Sequence, residues 1–220
     1  MEERSGSRGN RTRRDERARR SRAAILAAAE RLFANAGLDG ARTEAIAADA
    51  GVNKAMLYYY FKSKEALYEA ILEKHAREFY ERAIAVLEPE GHARDTVLAY
   101  VGMSFDFIAA RPYFPVLVQR LSMSGDRPFE SLARKYSLPL TGRLTRVIRK
   151  GIRSGEFRRV DPEHTVILLA ALTRFYFAVA PVVRALTRKD PYAKDNLRRL
   201  RRSVLEFIRH GLFRNPEANR

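Results

Sequence analysis

The chain contains no cysteine, and this absence excludes several kinds of chemistry at once. Disulfide frameworks, thiolate zinc sites and thiol nucleophiles all require cysteine, so none of them is expected. The sequence also lacks a Gly-rich phosphate-binding loop and a Gly-x-Ser-x-Gly elbow. Its histidines form no His-Glu-x-x-His motif and are scattered, at His75, His92, His164 and His210. We therefore expect neither an enzyme nor a resident cofactor or metal ion.

Long apolar segments are also scarce. Residues 166–183 form an apolar run of 18 residues, but Arg174 stands at its centre. A membrane-spanning helix needs about 20 residues and rarely carries a charge in its middle. The N-terminal arginines are not followed by the apolar stretch of a signal peptide. These features predict a cytoplasmic protein without a membrane span, in which residues 166–183 form a helix buried on more than one side.

Positive charge is in large excess, with 42 Lys+Arg against 26 Asp+Glu and a formal net charge of +16. A surface this basic attracts polyanions, and both nucleic acid and an anionic membrane fit that description. Residues 1–20 are rich in arginine and almost lack apolar side chains, which predicts a flexible basic arm. This arm is either a solubilising tail or a contact to the DNA minor groove. A second basic cluster is interpreted as a solvated helix face and consists of Arg198, Arg199, Arg201 and Arg202.

The remaining sequence has helical periodicity throughout, without strand-period runs, and predicts an all-α protein. The first helix begins at Ser21 and stops at Gly37. Thr43, Asn53 and Ser63 are candidate N-caps of the second, third and fourth helices. Further helices are predicted at residues 92–110, 112–122, 128–154, 162–187 and 192–213.

The second and third helices are each about two turns long and are joined by Gly51 and Val52, the short connection of a helix-turn-helix. The segment TEAIAADAGVNKAMLYYYFKSKEAL, residues 43–67, resembles the TetR family signature. In that signature a Thr-led helix, an Ala-Gly-Val turn, a Leu-Tyr-x-x-Phe helix and a Ser-Lys-Glu-x-Leu start follow in this order. Two residues depart from the signature: Asn53 stands where Ser or Thr is usual, and Met56 stands where a small hydroxyl residue is common. These departures bear on the base contacts and not on the fold.

The resemblance implies an N-terminal three-helix DNA-binding domain and a larger C-terminal helical domain for effector binding and dimerisation. We place the arm at residues 1–20, the helix-turn-helix domain at 21–67 and the second domain at 68–215. The family dimerises through its last two helices, and its members leave DNA when an effector moves the fourth helix. A homodimeric repressor of a palindromic operator is therefore expected. The rival hypothesis is a basic protein that coats DNA or an anionic membrane without sequence preference.

The third helix has an apolar face made by Leu57 and Phe61. The side chains on its opposite face are expected to contact the DNA major groove. Lys64 stands in the first turn of the fourth helix, where a cation opposes the helix dipole unless a phosphate is bound. For Thr43 and Asn53, simple helix capping is an equal alternative to DNA contact. For Tyr60, the equal alternative is packing against the fourth helix. The predicted DNA-binding residues are Thr43, Asn53, Lys54, Ala55, Met56, Tyr58, Tyr59, Tyr60 and Lys64.

A mainly hydrophobic effector is expected because large adaptable side chains recur on three helices of the second domain. Ordinary core packing is the alternative for each of them. Arg174, within an apolar run, needs a partner, either Asp106 or an anionic group of the ligand. The predicted effector-binding residues are Met103, Phe107, Phe114, Met123, Arg174, Phe175 and Phe177.

Overall fold

The computed structural model of the chain describes residues 5–88, 91–124 and 127–214. Within these residues the secondary structure consists of helices and one isolated antiparallel bridge between Phe157 and Phe213, so the predicted all-α class is confirmed. The chain divides into two compact units, Met1–Glu73 and Lys74–Arg220. The division falls inside the fourth helix, later in the chain than the predicted boundary at residues 67 and 68.

The first unit contains helices α1 (Ser5–Gly40), α2 (Thr43–Asp49) and α3 (Lys54–Phe61), and it includes the start of α4 (Lys64–Leu87). Apolar side chains at helical spacing form its core, and several have no exposed surface at all. The ring of Phe33 packs edge-on against Tyr68, with 5.1 Å between the centroids. The fully buried members of this core are Ile25, Ala28, Ala29, Phe33, Ile46, Leu57 and Leu67.

The described part of the N-terminal arm is helical. The sequence predicted a flexible arm over residues 1–20, whereas the structure continues α1 back to Ser5. The described side chains from Thr12 to Arg20 are almost all exposed, so packing does not hold this part of the helix. Its helicity is local in origin, because Arg, Glu and Ala are good helix formers and extending an existing helix avoids the nucleation cost. Residues 1–4 of the predicted arm lie outside the described residues.

The second unit is built around α5 (Ala93–Ala109), which packs against α8 (Leu138–Arg153), α9 (Pro162–Ala178) and α11 (Lys194–Leu212). The chain also forms α6 (Phe114–Ser124), α7 (Arg127–Leu132) and α10 (Ala180–Thr187). The buried face of α5 includes Val97, Val101, Phe105 and Ile108, each at most 2% exposed. Their spacing of four, four and three residues places them on one side of the helix, which is why α5 is central.

Two helices that were predicted as continuous are interrupted, each at a proline. The predicted helix at residues 162–187 leaves helical geometry at Val179 (φ −111°, ψ 26°), where α9 ends and α10 begins. Pro181 has no N–H to donate to residue 177, and its ring clashes with that carbonyl. The predicted helix at 128–154 contains a π-helical turn, Ala133–Ser137, just before Pro139.

The described helices contain no single one long and apolar enough to cross a membrane. Only α9 and α10 taken together reach such a length and composition, and they are bent by 70° at their junction.

Candidate nucleic-acid interface and effector site

Two short helices, α2 and α3, are joined by a tight connection that local sequence explains. Gly51 adopts φ 65°, a left-handed conformation that glycine tolerates best. The side-chain oxygen of Asn53 accepts a hydrogen bond from the backbone N–H of Met56 at 2.8 Å. Asn53 is therefore the N-cap of α3, as predicted. The connection holds α3 as a separate helix with one buried and one exposed face.

The exposed face of α3 carries most of the residues predicted to contact DNA. Leu57 and Phe61 are buried against the first unit. On the opposite side Tyr59 is 81% exposed and Tyr58 is 39% exposed. Ala55 is also exposed, and Met56 is half-buried. This face thus combines small, flexible and aromatic side chains, which suit contact with base edges and thymine methyl groups.

Tyr60 lies at the edge of this face and is partly covered. Its ring packs 5.3 Å from that of Tyr59 and 6.4 Å from that of Phe61. Both of these ring contacts are made to neighbours on the same helix, and a contact of Tyr60 with DNA stays a prediction. Tyr60 therefore orients the exposed ring of Tyr59.

Thr43 does not cap α2, and that prediction was wrong. Thr43 is the first helical residue, and the N-cap is Arg42, whose backbone is extended (φ −90°, ψ 133°) and whose side chain makes no capping hydrogen bond. Thr43 is instead buried, and its hydroxyl lies 3.5 Å from the Tyr58 hydroxyl, which donates to it. The Thr43 hydroxyl itself donates to a Glu44 carboxylate oxygen at 3.3 Å. Thr43 thus links the start of α2 to the exposed face of α3.

Lys54 has a carboxylate partner within the first unit. Its Nζ lies 2.5 Å from Oε1 of Glu44, and both side chains are at least half exposed. The hydrogen bond from Lys54 lowers the pKa of Glu44, and the same bond raises the pKa of Lys54. Both groups are therefore charged at neutral pH. To contact a base, Lys54 must leave Glu44. The loss of this ion pair costs little free energy, because the pair is exposed to solvent and water screens it.

The start of α4 presents a second set of polar groups. The Ser63 hydroxyl accepts a hydrogen bond from the backbone N–H of Ala66 at 3.0 Å, so the predicted cap is confirmed. Lys64 is the first residue of α4, and its Nζ donates to the Asp39 carbonyl at 3.3 Å. That contact gives the ammonium an acceptor at the end of α1 and orients it at the N-terminus of α4. A phosphate oxygen is a stronger acceptor than this carbonyl because it is charged.

Lys62 is a residue of this corner that sequence reasoning missed. It has φ 60° and ψ −43°, and the backbone N–H of Ser63 donates to the Phe61 carbonyl at 2.6 Å. These values describe a three-residue γ-turn, a strained conformation for a residue with a side chain. No composition or spacing signal marks such a turn. The exposed Lys62 side chain stands between α3 and α4, beside the other candidate DNA contacts.

The seven predicted effector-binding residues do not come together in one place. Phe107 and Phe177 are fully buried in the core of the second unit, and Met103 and Phe114 are partly buried. Met123 and Phe175 are 81% and 66% exposed, so they face away from that core. A cluster of aromatic rings does exist: Phe79 packs 5.2 Å from Phe107, and Phe105 packs 5.4 Å from Phe177.

Arg174 does not pair with Asp106. The Asp106 carboxylate instead receives two hydrogen bonds from Arg201, at 2.9 and 3.1 Å. Arg174 lies over the ring of Phe79, 5.8 Å from its centroid, and it is exposed. Burial raises the pKa of Tyr100, and the adjacent guanidinium of Arg174 opposes this rise. In the described part of the chain no carboxylate lies within 4 Å of Arg174, and its exposure removes the need for one.

Comparison with known proteins agrees with this arrangement. Residues 25–71 match the family described as "Bacterial regulatory proteins, tetR family", and residues 94–208 match "Tetracyclin repressor-like, C-terminal domain". The transcriptional regulator RutR of Escherichia coli is 31% identical over 205 residues, 84% of this chain and 89% of that protein. The transcriptional repressor NicS of Pseudomonas putida is 32% identical over 172 residues, covering 74% of this chain and 78% of that protein.

Solved structures show the same fold. The ketosteroid transcriptional regulator KstR2 of Mycobacterium tuberculosis matches with a TM-score of 0.75 at 18% identity, over 88% of this chain and 95% of that one. AibR, solved with isovaleryl coenzyme A and operator DNA, matches with a TM-score of 0.71 at 17% identity, over 86% and 97% of the two chains. With both family domains matched in order and a relative aligned over most of its length, this chain belongs to the TetR family of helix-turn-helix transcriptional regulators.

Proposed function

We propose that this protein is a repressor that binds a palindromic operator as a homodimer and leaves it when a mainly hydrophobic effector binds the second unit. The observation that carries the proposal is the exposed face of α3, on which Ala55, Tyr58 and Tyr59 stand clear of the core. A helix enters the major groove with such a face, because the groove is about 12 Å wide. The net charge of +16 supplies the attraction to the phosphate backbone.

Each exposed side chain has a role in this proposal. Lys54 exchanges Glu44 for guanine O6 and N7, and Met56 contacts a thymine methyl group. Tyr58 and Tyr59 contact the groove or its flanking phosphates, Tyr60 supports them, and the small Ala55 allows the helix to approach. The complete proposed set also includes the phosphate contacts at the helix N-termini: Thr43, Asn53 and Lys64.

Dimerisation is supported by apolar side chains that the second unit leaves exposed. They lie on α9, on α10 and on α11, the last helices of the chain. On α9, the side chains at residues 167, 168 and 175 are all at least 61% exposed and lie on one side of the helix. A second copy of the chain would cover them and place two α3 helices about 34 to 36 Å apart, in successive major grooves. The exposed apolar residues that we assign to the dimer interface are Ile167, Leu168, Phe175, Val182, Leu186 and Phe207.

Lys54→Ala and Lys64→Ala are expected to weaken operator binding in different ways. Losing Lys54 should relax the preference at one symmetric pair of operator positions, by roughly 5- to 100-fold, because a base contact specifies sequence. Losing Lys64 should weaken all duplexes alike and flatten the slope of log K against log salt by about 0.9 for each phosphate that the variant no longer neutralises. Fluorescence anisotropy with operator and random duplexes over a range of salt concentrations measures both effects.

Arg149→Gln provides a control for the loss of one positive charge, because Arg149 is exposed on α8 in the second unit and is not among the proposed DNA contacts. If Lys54→Ala reduces affinity for operator and random DNA equally, Lys54 contacts only phosphate. If the wild-type protein itself binds random DNA as tightly as any genomic fragment, the repressor proposal fails, and a sequence-indifferent coating protein takes its place.

The effector proposal rests on the aromatic interior of the second unit. The rings around Phe107 and Phe177 offer an apolar surface, and Arg174 lies at its border over Phe79. We assign the effector-contacting role to Met103, Phe107, Phe114, Arg174 and Phe177. Met123 and Phe175, being exposed, are assigned instead to the surface of the unit. An effector that favours a different position of α4, whose residues belong to both units, needs a coupling of only about 1 to 3 kcal/mol to release DNA.

Decanoic acid is expected to release the operator at lower concentration than its methyl ester, because its carboxylate pairs with Arg174. In Arg174→Met this difference should disappear, while the ester should act as it does on the wild type. Titration of each compound into the labelled protein–operator complex measures release. If the acid and the ester release the operator from the wild type at equal concentrations, Arg174 does not bind the carboxylate. If neither compound releases the operator, the proposal of a mainly hydrophobic effector is wrong.

A further inference from the structure

A cleft of about 250 Å³ opens on the second unit between the end of α4, the start of α5 and α8. Its apolar floor is formed by Leu87, Ala93 and Val147. Its polar rim is formed by Arg143, Arg146 and Lys150 of α8, with Glu88 opposite. None of the residues assigned to the effector or to DNA lines this cleft, so its chemistry is unexplained by the proposed function.

The three cations converge because of their spacing on α8. Arg143, Arg146 and Lys150 lie three and four residues apart, on successive turns of the same side. The adjoining side of α8 packs into the core through Leu144 and Ile148, each at most 1% exposed. Placing like charges on neighbouring turns is unfavourable in the absence of an anion. The arrangement is therefore one that a bound anion would stabilise.

The carboxylate in the cleft does not neutralise these cations. Arg143 approaches Glu88 only to 3.9 Å, and Lys150 donates to the Gly91 carbonyl at 3.0 Å. Arg146 has no carboxylate within 4 Å and no hydrogen-bond acceptor among the residues that the structure describes. Among the lining residues that the structure describes, three cations and one carboxylate leave a local charge of +2.

The neighbouring Arg149 shows that this is a property of the cleft and not of the helix. Arg149 points away from the cleft and forms an ion pair with Glu163 at 3.3 Å. It is thus a cation of the same helix whose charge is matched by a partner. The residue beside it in sequence, Lys150, lines the cleft and has only a neutral carbonyl as acceptor.

We propose that this cleft binds a small molecule through a phosphate monoester group. Such a group carries about −1.5 to −2 charges near pH 7, which complements the local +2, and offers three acceptor oxygens. Arg143 and Arg146 bind the oxygens through paired N–H groups, and Lys150 acts as a point charge. The volume is below the roughly 300 to 1,000 Å³ of sites for drug-sized ligands, so the cleft takes the phosphate and a few further atoms. Those atoms rest on Leu87 and Val147.

Phenyl phosphate is the probe for this site, because its ring matches the apolar floor and its phosphate matches the cations. Isothermal titration calorimetry of the full chain, without DNA and at constant ionic strength, should show saturable binding. Inorganic sulfate at the same ionic strength should bind more weakly. Arg146→Gln should weaken phenyl phosphate binding at least tenfold, and Lys150→Gln should also weaken it. Arg149→Gln, which removes a charge from the same helix outside the cleft, should leave the affinity within twofold of wild type.

Absence of saturable binding to the wild type would overturn the proposal. Equal loss in Arg146→Gln and Arg149→Gln would also overturn it, since general attraction to a basic surface would then explain the signal. Arg146 is exposed, so Arg146→Gln is expected to keep the circular dichroism spectrum and operator affinity of the wild type. Because the calorimetry contains no DNA, failure of this proposal leaves the proposed repressor function untouched.

Discussion

Gly151→Ala is expected to lower the free energy of unfolding by about 1 to 3 kcal/mol, the usual result of forcing an extra carbon into a packed site. A Cβ at this position would lie 2.3 Å from Cδ2 and 2.4 Å from Cε2 of Phe157. The Phe157 ring cannot move away easily, because it is 2% exposed and stacks on Phe213 with 5.4 Å between centroids. Its backbone N–H also donates to the Gly151 carbonyl at 2.9 Å.

Gly142→Ala is the matched control, since it makes the same chemical change on the same helix. A Cβ at Gly142 would have no neighbour within 4 Å. Alanine is favoured over glycine in a helix, so this variant should gain about 0.5 to 1 kcal/mol. Urea unfolding followed by circular dichroism compares the two. If Gly151→Ala is as stable as Gly142→Ala, the contact between α8 and the Phe157 ring is not tightly packed.

Phe175→Glu is expected to produce a monomer and to reduce operator affinity by 100-fold or more. Phe175 is 66% exposed on α9 and is one of the apolar residues assigned to the dimer interface. A carboxylate there would be buried without a partner when two copies meet, which costs several kcal/mol. Because the proposed operator is palindromic, a single α3 helix keeps only half of the contacts. Analytical ultracentrifugation and operator titration of the same samples measure the two effects.

Leu138→Glu controls for the introduced charge. Leu138 is a similarly exposed apolar residue, at 63%, but it lies on α8 and outside the assigned face. This variant should remain a dimer and keep its operator affinity. A dimeric Phe175→Glu protein would show that another surface forms the interface. A monomeric Phe175→Glu protein with full operator affinity would show that dimerisation is not needed for DNA binding.

The features of the DNA-binding unit that sequence alone determined are local ones. Asn53 and Ser63 cap their helices as predicted, because a cap depends on one side chain and a backbone amide three residues later. Gly37 breaks the helical geometry within α1, and Gly51 follows the end of α2, both as predicted, with φ values of 76° and 65°. The inner and outer faces of α3 also follow from spacing, since residues four apart such as Leu57 and Phe61 must share a side.

Other features were decided only by tertiary structure, because they depend on residues far apart in the sequence. Asp106 pairs with Arg201, 95 residues away, and no local signal distinguishes that partner from Arg174. Phe175 and Phe177 are equally apolar, yet one is 66% exposed and the other fully buried, according to which side of α9 meets α5. The cleft beside α8 likewise exists only where three helices meet. Propensity and periodicity act over one or two turns, whereas these contacts follow from the packing of whole helices, which no short segment specifies.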